Sequence, residues 1–429
     1  MRALPFFVSI WLGCAVIGIP LVHAQEPQEQ PRDTPVEPTD AASMPDRPFH
    51  ATLDVGDIWH RIRHKDQPLA TDEAPQPRPD GRFVVFAPSI GSRPATGLTL
   101  GLNGNMAFFR GDSNSTHLST LSGGFRISQK KQVLSNLRYA VFGLDDVWYF
   151  DGDNRANWTS INAYGLGGSS SAGGTANLKF DLLRFYEAVY RRVKPGLFVG
   201  GGLNVNNRYN IRAGEPEPNL ASSAYVTYTL DHGFPLDHQF SAGANAAVRY
   251  DTRDNAINAA RGWLAAATYR TFFKGLLGSD ATYQQLTIDV RTYKALTRTG
   301  SQRLAFWMIT DVVTGGVAPF LDLPTTGGDA RSGRGYTEGL NRGERLAYGE
   351  VEYRGALTPN GLAGFVAFLN TTTIGSSETG AHLFENAEPA AGVGLRLLLN
   401  KRSRTNFYTD WGWGTGGSRG FYLGIQEAF

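Results

Sequence analysis

The chain has a single cysteine, Cys14, among its 429 residues. A disulfide framework or a thiolate metal site requires several cysteines, so neither is expected. The charge is also nearly balanced, because 41 Lys and Arg face 39 Asp and Glu and leave a formal net charge of +2. Such a balance lacks the basic surface that is typical of nucleic-acid-binding proteins. We therefore expect no nucleic acid among the partners.

Long hydrophobic runs are confined to the N-terminus. Met1 and Arg2 precede an apolar run from Ala3 to Val22, and Ala24 is followed by a sharply polar sequence. This pattern predicts a signal peptide over residues 1–24 that is cut after Ala24, with retention as a membrane anchor as the alternative. No later stretch approaches the roughly 20 apolar residues that a transmembrane helix needs. The sequence thus excludes a helical membrane protein.

Residues 25–81 are rich in Pro, Asp, Glu and Gln, and only the short segment from Val55 to Ile62 is amphipathic. A segment of this composition cannot bury enough apolar surface to form a core of its own. We predict that residues 25–81 form a disordered or weakly structured periplasmic arm, or a small plug.

The region from Arg82 to Phe429 holds most of the 51 glycines and shows alternating polar and apolar residues. In the segment Gln285–Arg291, for example, Leu286, Ile288 and Val290 share one side of an extended chain. Turn-forming clusters of Gly, Asn, Asp and Ser separate such segments, which indicates about 16 strands. Further segments begin near Thr96, Thr116, Gln132, Ala176, Gly196, Ser222, Phe240, Trp263, Arg303, Arg345, Leu362 and Gly392.

Alternation alone also fits a soluble β-sandwich, but the polar faces of these strands carry charges in mid-strand. They are Asp289, Arg291, Glu350, Glu352, Arg354, Arg396 and Asp410. Aromatic residues such as Trp411 and Trp413 end the apolar faces, as in outer-membrane barrels with a polar interior. Closure of the sheet leaves no unpaired edge in lipid. We predict an all-β fold over residues 82–429, a transmembrane antiparallel barrel in contact with the lipid of the bacterial outer membrane.

The last predicted strand, from Ser418 to Phe429, contains Tyr422, Gly424 and Phe429. These residues resemble the aromatic-x-Gly and terminal aromatic signal by which the barrel-assembly machinery recognises bacterial barrels. Glu427 stands where this signal usually has a hydrophobic residue, so the match is partial. The alternative is an ordinary C-terminal strand.

The stretch Gly327–Arg354 carries the most specific motifs of the chain. Gly327-Gly328, Arg334-Gly335-Tyr336 and Glu350-x-Glu352-Tyr353-Arg354 together resemble the signature of the bacterial surface antigen superfamily, which includes the BamA/TamA-like barrels. Three more segments resemble other motifs of that family in the expected order. They are Pro88–Gly97, Tyr250–Asp254 with Arg261-Gly262, and Gly392–Arg396.

The resemblance implies a barrel of 16 strands with an extracellular loop folded into its lumen. It places Arg334, Gly335 and Tyr336 in that loop and Arg334 against Glu350 and Glu352, a lumen latch. Where the family has a second acidic partner on the next strand, this chain has Asn370, and Asp410 is the candidate substitute. Alternatively, Arg334 only fills the lumen, which is compatible with the same contacts.

Two functions remain open at this point. The first is translocation or insertion of protein or lipid through a seam between the first and last strands, with a separate periplasmic partner and an unknown cargo. The second is a passive or plugged channel, or a structural barrel. Residues 25–81 do not fit the POTRA domains typical of the family, no Gly-x-Ser-x-Gly elbow precedes the barrel, and the histidines form no triad pattern. We expect no enzyme activity, no catalytic residues, no metal ligands and no cofactor.

Overall fold

The computed structural model describes residues 52–63, 82–93, 97–111, 116–168, 175–214, 220–328 and 332–429. The predicted signal peptide and most of the predicted arm lie outside these residues. No described helix is long and apolar enough to cross a membrane.

Sixteen strands form one antiparallel sheet, and each strand pairs with the next along the chain. The strands are β1 Arg82–Arg93, β2 Gly97–Phe108, β3 Ser119–Ser128, β4 Val133–Phe142, β5 Trp148–Ala163, β6 Ala176–Lys194, β7 Leu197–Ala213, β8 Gln239–Asp251, β9 Gly262–Phe272, β10 Tyr283–Ala295, β11 Gln302–Gly316, β12 Arg345–Ala356, β13 Ala363–Gly375, β14 Ala387–Asn400, β15 Thr405–Gly414 and β16 Arg419–Ile425. The predicted all-β fold and its strand number are confirmed.

The two faces of the sheet differ in chemistry. On β14, the exposed side chains of Val393 and Leu395 alternate with the buried Gly394 and Arg396. Successive side chains of a strand point to opposite faces, so an apolar outer wall surrounds a polar interior. This is the arrangement that a barrel wall needs when lipid lies outside it.

The connections alternate between two ends of the barrel. One end carries the longest loops, including residues 214–238 between β7 and β8 and residues 317–344 between β11 and β12. We call it the long-loop end, and the opposite one the short-turn end, where β6 and β7 are joined only by Pro195 and Gly196.

A helix in the β7–β8 loop, α2 (Ala224–Asp231, the second of two described α-helices), contradicts the strand predicted to begin near Ser222. The Ser223 hydroxyl caps this helix by accepting from the Val226 backbone N–H at 3.3 Å. Tyr225 and Tyr228, three residues apart and so on one helix face, both pack against Phe320, with ring centroids 5.6 and 5.8 Å away. Burial of these rings therefore outweighs the β-propensity of the segment.

The other described α-helix, α1 (Val55–Arg63), precedes the barrel. It begins with a reciprocal capping arrangement, in which the Asp54 backbone N–H donates to the Asp57 carboxylate at 3.0 Å and the Asp57 N–H donates to Asp54 at 2.9 Å. The amphipathic segment noted in the sequence is thus a helix.

The first and last strands, β1 and β16, lie side by side, but no pairing joins them among the described residues. Strand β16 ends at Ile425, and Gln426 adopts a left-handed conformation with φ of 79°. The following residues turn into the interior, where the Phe429 ring stacks on Trp307 with centroids 5.1 Å apart. The sheet is therefore a barrel with one seam between its terminal strands.

Candidate functional site

The loop of residues 317–344 reaches the inner face of β12–β16, where Arg334 pairs with three carboxylates. The Arg334 guanidinium donates to Glu350 Oε1 at 2.5 Å and to Asp410 Oδ2 at 2.6 Å, and it also donates to Glu352. Arg334 is only 2% exposed. Burial by itself lowers the pKa of this guanidinium, but the three carboxylates raise it well above its usual range, so Arg334 stays charged.

These contacts belong to a wider buried ion network, which spans the loop, three strands and the C-terminal segment. Its members are Arg334, Arg354 and Arg396 with Glu350, Glu352, Asp410 and Glu427. Within it, Arg396 joins Asp410 to Glu427 through contacts of 2.5 and 2.6 Å. The network contains one more carboxylate than guanidinium groups, so each cation in it compensates buried negative charge.

Two residues of β13 complete the surroundings of Arg334. The Phe368 ring lies under the guanidinium, with 3.7 Å between Arg334 Cζ and the ring centroid. The Asn370 amide donates to the Arg334 backbone carbonyl at 2.9 Å. Asn370 therefore holds the loop backbone. Asp410 supplies the acid that the sequence motif lacks on β13, so three carboxylates contact Arg334.

Gly335 allows the loop backbone to pass close to the barrel wall. Its φ is +108°, and a Cβ at this position would lie 2.8 Å from the Ala390 Cβ. On the opposite side, a Cβ on Gly412 would meet the Gly335 backbone nitrogen at 2.8 Å. Glycine is needed at position 335 because its backbone adopts a conformation that other residues rarely reach. It is needed at both positions because the two backbones approach each other closely.

Tyr336 and Tyr422 fix the same turn through their hydroxyl groups. The Tyr336 hydroxyl donates to the Pro389 carbonyl at 2.6 Å and accepts from the Thr415 N–H at 3.0 Å. The Tyr422 hydroxyl accepts from the Gly335 N–H at 3.0 Å. The loop tip is thus bound to both β14 and the last hairpin of the barrel.

The three residues of the predicted assembly signal lie at or beyond β16. Tyr422 faces the loop, and a Cβ on Gly424 would lie 2.9 Å from the Tyr408 ring. Phe429 lies inside the barrel beside Trp307. Their recognition by the assembly machinery stays a prediction.

Asp322, at the start of the same loop, makes a second set of contacts that the sequence motifs do not identify. Its carboxylate accepts from Asn206 at 2.5 Å and from Ser241 at 2.6 Å, and it pairs with Arg208. Tyr283 also donates to it, at 3.1 Å. Burial raises the pKa of Asp322, but Arg208 and the Ser241 hydrogen bond outweigh it, so the pKa lies below its usual range.

Aromatic and aliphatic side chains surround this second anchor at the long-loop end. Phe320, Leu321 and Leu323 of the loop are buried in a cluster with α2 and with inward-facing residues at the ends of several strands. Loop residues therefore occupy the interior in two places, with apolar packing around Asp322 and ion pairing around Arg334.

The described residues contain no group of three or more His, Cys, Asp or Glu side chains that could hold a metal ion. The site is an assembly of ion pairs and hydrogen bonds between a loop and the barrel wall. Chemically, it can hold the loop or release it.

Comparison with known proteins adds a family to this geometry. Residues 153–429 match the family model described as the Omp85 superfamily domain. No curated protein matches the chain. This match confirms the family that the sequence motifs predict and, with it, the predicted location in the bacterial outer membrane.

Solved structures share the fold at low sequence identity. BamA from Haemophilus ducreyi lacking POTRA domains 1-3 has a TM-score of 0.51 and 15% identity, covering 81% of this chain and 69% of that one. CdiB from Acinetobacter baumannii has a TM-score of 0.51 and 11% identity, with coverage of 80% and 59%. CdiB from Escherichia coli has a TM-score of 0.50 and 10% identity, with coverage of 82% and 62%. The chain thus spans less than two thirds of either CdiB chain.

Proposed function

Because the chain belongs to the Omp85 superfamily of outer-membrane barrels, we propose that it translocates or inserts a protein or a lipid at the outer membrane. The route is the seam between β1 and β16, where cargo can pass between the barrel wall and the lipid. A separate periplasmic partner would select the cargo. No catalytic step is part of this function.

The proposal of transport rests on the seam between β1 and β16. Every other neighbouring pair of strands is joined by a hydrogen-bonded ladder, whereas β1 and β16 are adjacent without pairing in the described part of the chain. Strand β16 is also short, with 7 residues against 12 in β1. Opening a boundary without ladder hydrogen bonds costs less free energy than separating any paired strands.

The filled interior supports transport at the seam over free diffusion through the lumen. Arg334 and its carboxylates occupy the interior beside β12 and β15, and the cluster around Phe320 fills part of the long-loop end. A passive channel needs a continuous water-filled path, as in large porins. The loop contacts narrow the space that such a path would need.

Cysteine pairs across the seam test this function. Positions Val84 and Phe86 on β1 and Phe421 and Leu423 on β16 lie on the outer face, so pairs chosen among them can be screened for disulfide formation. We expect a cross-linked barrel to fold and reach the outer membrane but to fail to restore the outer-membrane and surface proteome and lipid content of a deletion strain. Reduction of the disulfide should restore function.

The matched control is a pair across the neighbouring ladder, Val84→Cys with Met106→Cys, since Val84 and Met106 are register partners on β1 and β2. This lock leaves the seam free and should support function in both redox states. If the seam-locked barrel complements the deletion as well as this control does, transport through the seam is wrong. A large, steady conductance of the purified protein in planar bilayers would then favour the passive channel.

A further inference from the structure

Helix α1 is held on the short-turn end of the barrel by polar contacts on one of its sides. The Lys401 ammonium group lies 2.8 Å from the Asp57 carboxylate, and the Lys401 backbone N–H donates to Asp54 at 3.0 Å. The Leu53 N–H donates to the Asn360 carbonyl in the β12–β13 turn at 3.1 Å. These contacts fix the helix against the turns that follow β12 and β14.

A different side of α1 carries large apolar residues that the barrel does not cover. Trp59 is 58% exposed, Ile62 is 60% exposed and Val55 is 36% exposed. At about 100° per residue, these three residues fall within a sector of about 60°. Arg63 borders this sector, with its guanidinium 5.2 Å from the Trp59 ring centroid. His60 lies about 160° from Ile62, on the other side of the helix.

The place where α1 is held is close to the lipid-facing wall. Lys401 directly follows β14, whose outer face carries the exposed Val393, Leu395 and Leu397. Lys401 is the fourth residue after Leu397, so it lies within about 13 Å of the end of that apolar face. An element held there is close to the edge of the apolar band, where the lipid headgroups of an outer-membrane barrel begin.

We infer that α1 is an interfacial helix, whose apolar side formed by Val55, Trp59 and Ile62 inserts into the lipid surface beside β14. Tryptophan prefers the boundary between hydrocarbon and headgroups, and Arg63, which borders the apolar side, complements anionic headgroups. The acidic side of the helix binds the barrel through Lys401, so the two sides have separate partners. This role is independent of whether the barrel transports a cargo.

Site-specific fluorescence in lipid vesicles tests the inference. In a Cys14→Ser background, Ile62→Cys and His60→Cys each provide one cysteine for a small fluorophore in the full chain. The vesicles contain phosphatidylethanolamine and phosphatidylglycerol, with a fraction of lipid that carries a nitroxide near the glycerol. We expect the label at position 62 to be quenched at least about twofold more strongly than the label at position 60, because only position 62 belongs to the apolar side.

Equal quenching at the two positions would overturn the inference. A label at position 62 that is unquenched in these vesicles but shielded from aqueous iodide in isolated outer membranes would overturn it too, since that result identifies a protein as the partner.

Proteolysis provides a second measurement that needs no introduced cysteine. The double variant Trp59→Ser with Ile62→Ser keeps Asp54, Asp57 and therefore the contacts with Lys401. We expect trypsin to cut at Arg61 or Arg63 about tenfold faster in vesicles containing this variant, because the helix no longer inserts in lipid. Equal rates for the unchanged chain and this variant would contradict lipid insertion.

Discussion

At the scale of single residues, Arg334 joins the loop to the barrel wall through three ion pairs. Its guanidinium contacts two carboxylates of β12 and one of β15, and all three are fully buried. A buried carboxylate that loses its cation keeps its desolvation cost and loses the compensating attraction. The contribution of Arg334 can therefore be measured by how far its removal lowers stability and exposes the loop to protease.

We expect Arg334→Ala to cost about 3 to 5 kcal/mol of stability, the range typical of breaking a buried ion pair. The temperature at which the unboiled barrel unfolds on gels should fall, and the loop between Asp322 and Arg345 should become sensitive to protease. Arg212→Ala is the matched control, because Arg212 is exposed on the long-loop end and exposed arginines contribute roughly 0 to 1 kcal/mol. Equal behaviour of the two variants would contradict the latch.

Pairing should also appear as non-additivity. Glu352→Gln removes a charge that Arg334→Ala leaves uncompensated, so the double variant should be less destabilised than the sum of the two single variants. Thermal unfolding of the four proteins measures this coupling. Strict additivity would mean that Arg334 fills the lumen without pairing to Glu352.

His117, in the β2–β3 turn at the short-turn end, should make stability depend on pH. Its Nδ1 lies 2.6 Å from Asp146, and its ring stacks on Phe142. Burial lowers the pKa of His117, but the hydrogen bond to Asp146 and the charges of Asp251 and Asp146 raise it above the ordinary value of 6.5.

Because the folded pKa is the higher one, this contribution to stability is complete below pH 6.5 and is lost as the pH rises through the raised value. We expect the unfolding temperature to fall as the pH rises above 6.5 and His117→Gln to flatten that fall. Identical pH profiles of the two proteins would show that His117 does not contribute.

The sequence identifies some of these residues and misses others for a physical reason. Glu350 and Glu352 stand out because charges recur at a spacing of two on a strand whose other face is apolar. Asp322 follows Phe320 and Leu321 in an irregular loop, so no periodicity marks it. Its partners Arg208 and Tyr283 lie on strands that come near it only in the folded barrel.

At the scale of elements, the loop of residues 317–344 is attached to two separate parts of the wall. Arg334 binds β12, β13 and β15, while Asp322 binds β7, β8 and β10. The loop is therefore held at two points, Asp322 and Arg334, inside the barrel. Loss of one anchor should free only the nearer end.

We expect Asp322→Asn to expose the start of the loop to protease while the segment around Arg334 stays protected. Arg208 would remain buried without its carboxylate partner, at a cost of about 3 to 5 kcal/mol. Limited proteolysis with mapping of the first cuts measures this difference, and Asp237→Asn, on the exposed β7–β8 loop, is the control. First cuts around Arg334 in the Asp322 variant would contradict independent anchors.

The contact of Asp322 with Arg208 also predicts how the wild-type loop responds to acid. The folded pKa of Asp322 is lowered, so its contribution is complete above the ordinary value of 3.8 and is lost only as the pH falls through the lower folded value. The Asp322 anchor should therefore persist in mildly acidic buffer.

Elements with regular alternation could be predicted from the sequence, and those shaped by tertiary packing could not. The segment after Ser222 alternates like a strand, yet it forms α2 because Tyr225 and Tyr228 bury their rings against Phe320. Phe320 lies on a loop almost a hundred residues away, so no local signal announces the helix. The predicted strands near Trp263, Arg303 and Arg345, by contrast, correspond to β9, β11 and β12.

At the scale of the whole molecule, the paired strands of the barrel all lie beyond residue 81. A chain without residues 25–80 keeps every described ladder and loses only α1 and its contacts with Asn360 and Lys401. The stability of the barrel should therefore depend little on the predicted arm.

We expect this shortened protein, with its signal peptide retained, to fractionate with the outer membrane, to shift on gels when boiled, and to keep its β-sheet circular dichroism. Each property follows from a closed set of strand ladders that the deletion does not touch. Recovery of the shortened chain in the soluble fraction, or loss of its β signal, would show that residues 25–80 are needed for the barrel to form.

The spread of the Arg334 and Gly335 contacts along the chain limits when the loop tip can dock. Glu350 is 16 residues away from Arg334, whereas Asp410 is 76 residues away, and Tyr422 is 87 residues from Gly335. The nearby acid can capture the arginine as soon as β12 forms, since closing a short loop costs less entropy than closing a long one. The remaining bonds must wait for the last hairpin. Docking of the loop tip therefore cannot be complete before the C-terminal strands have arrived.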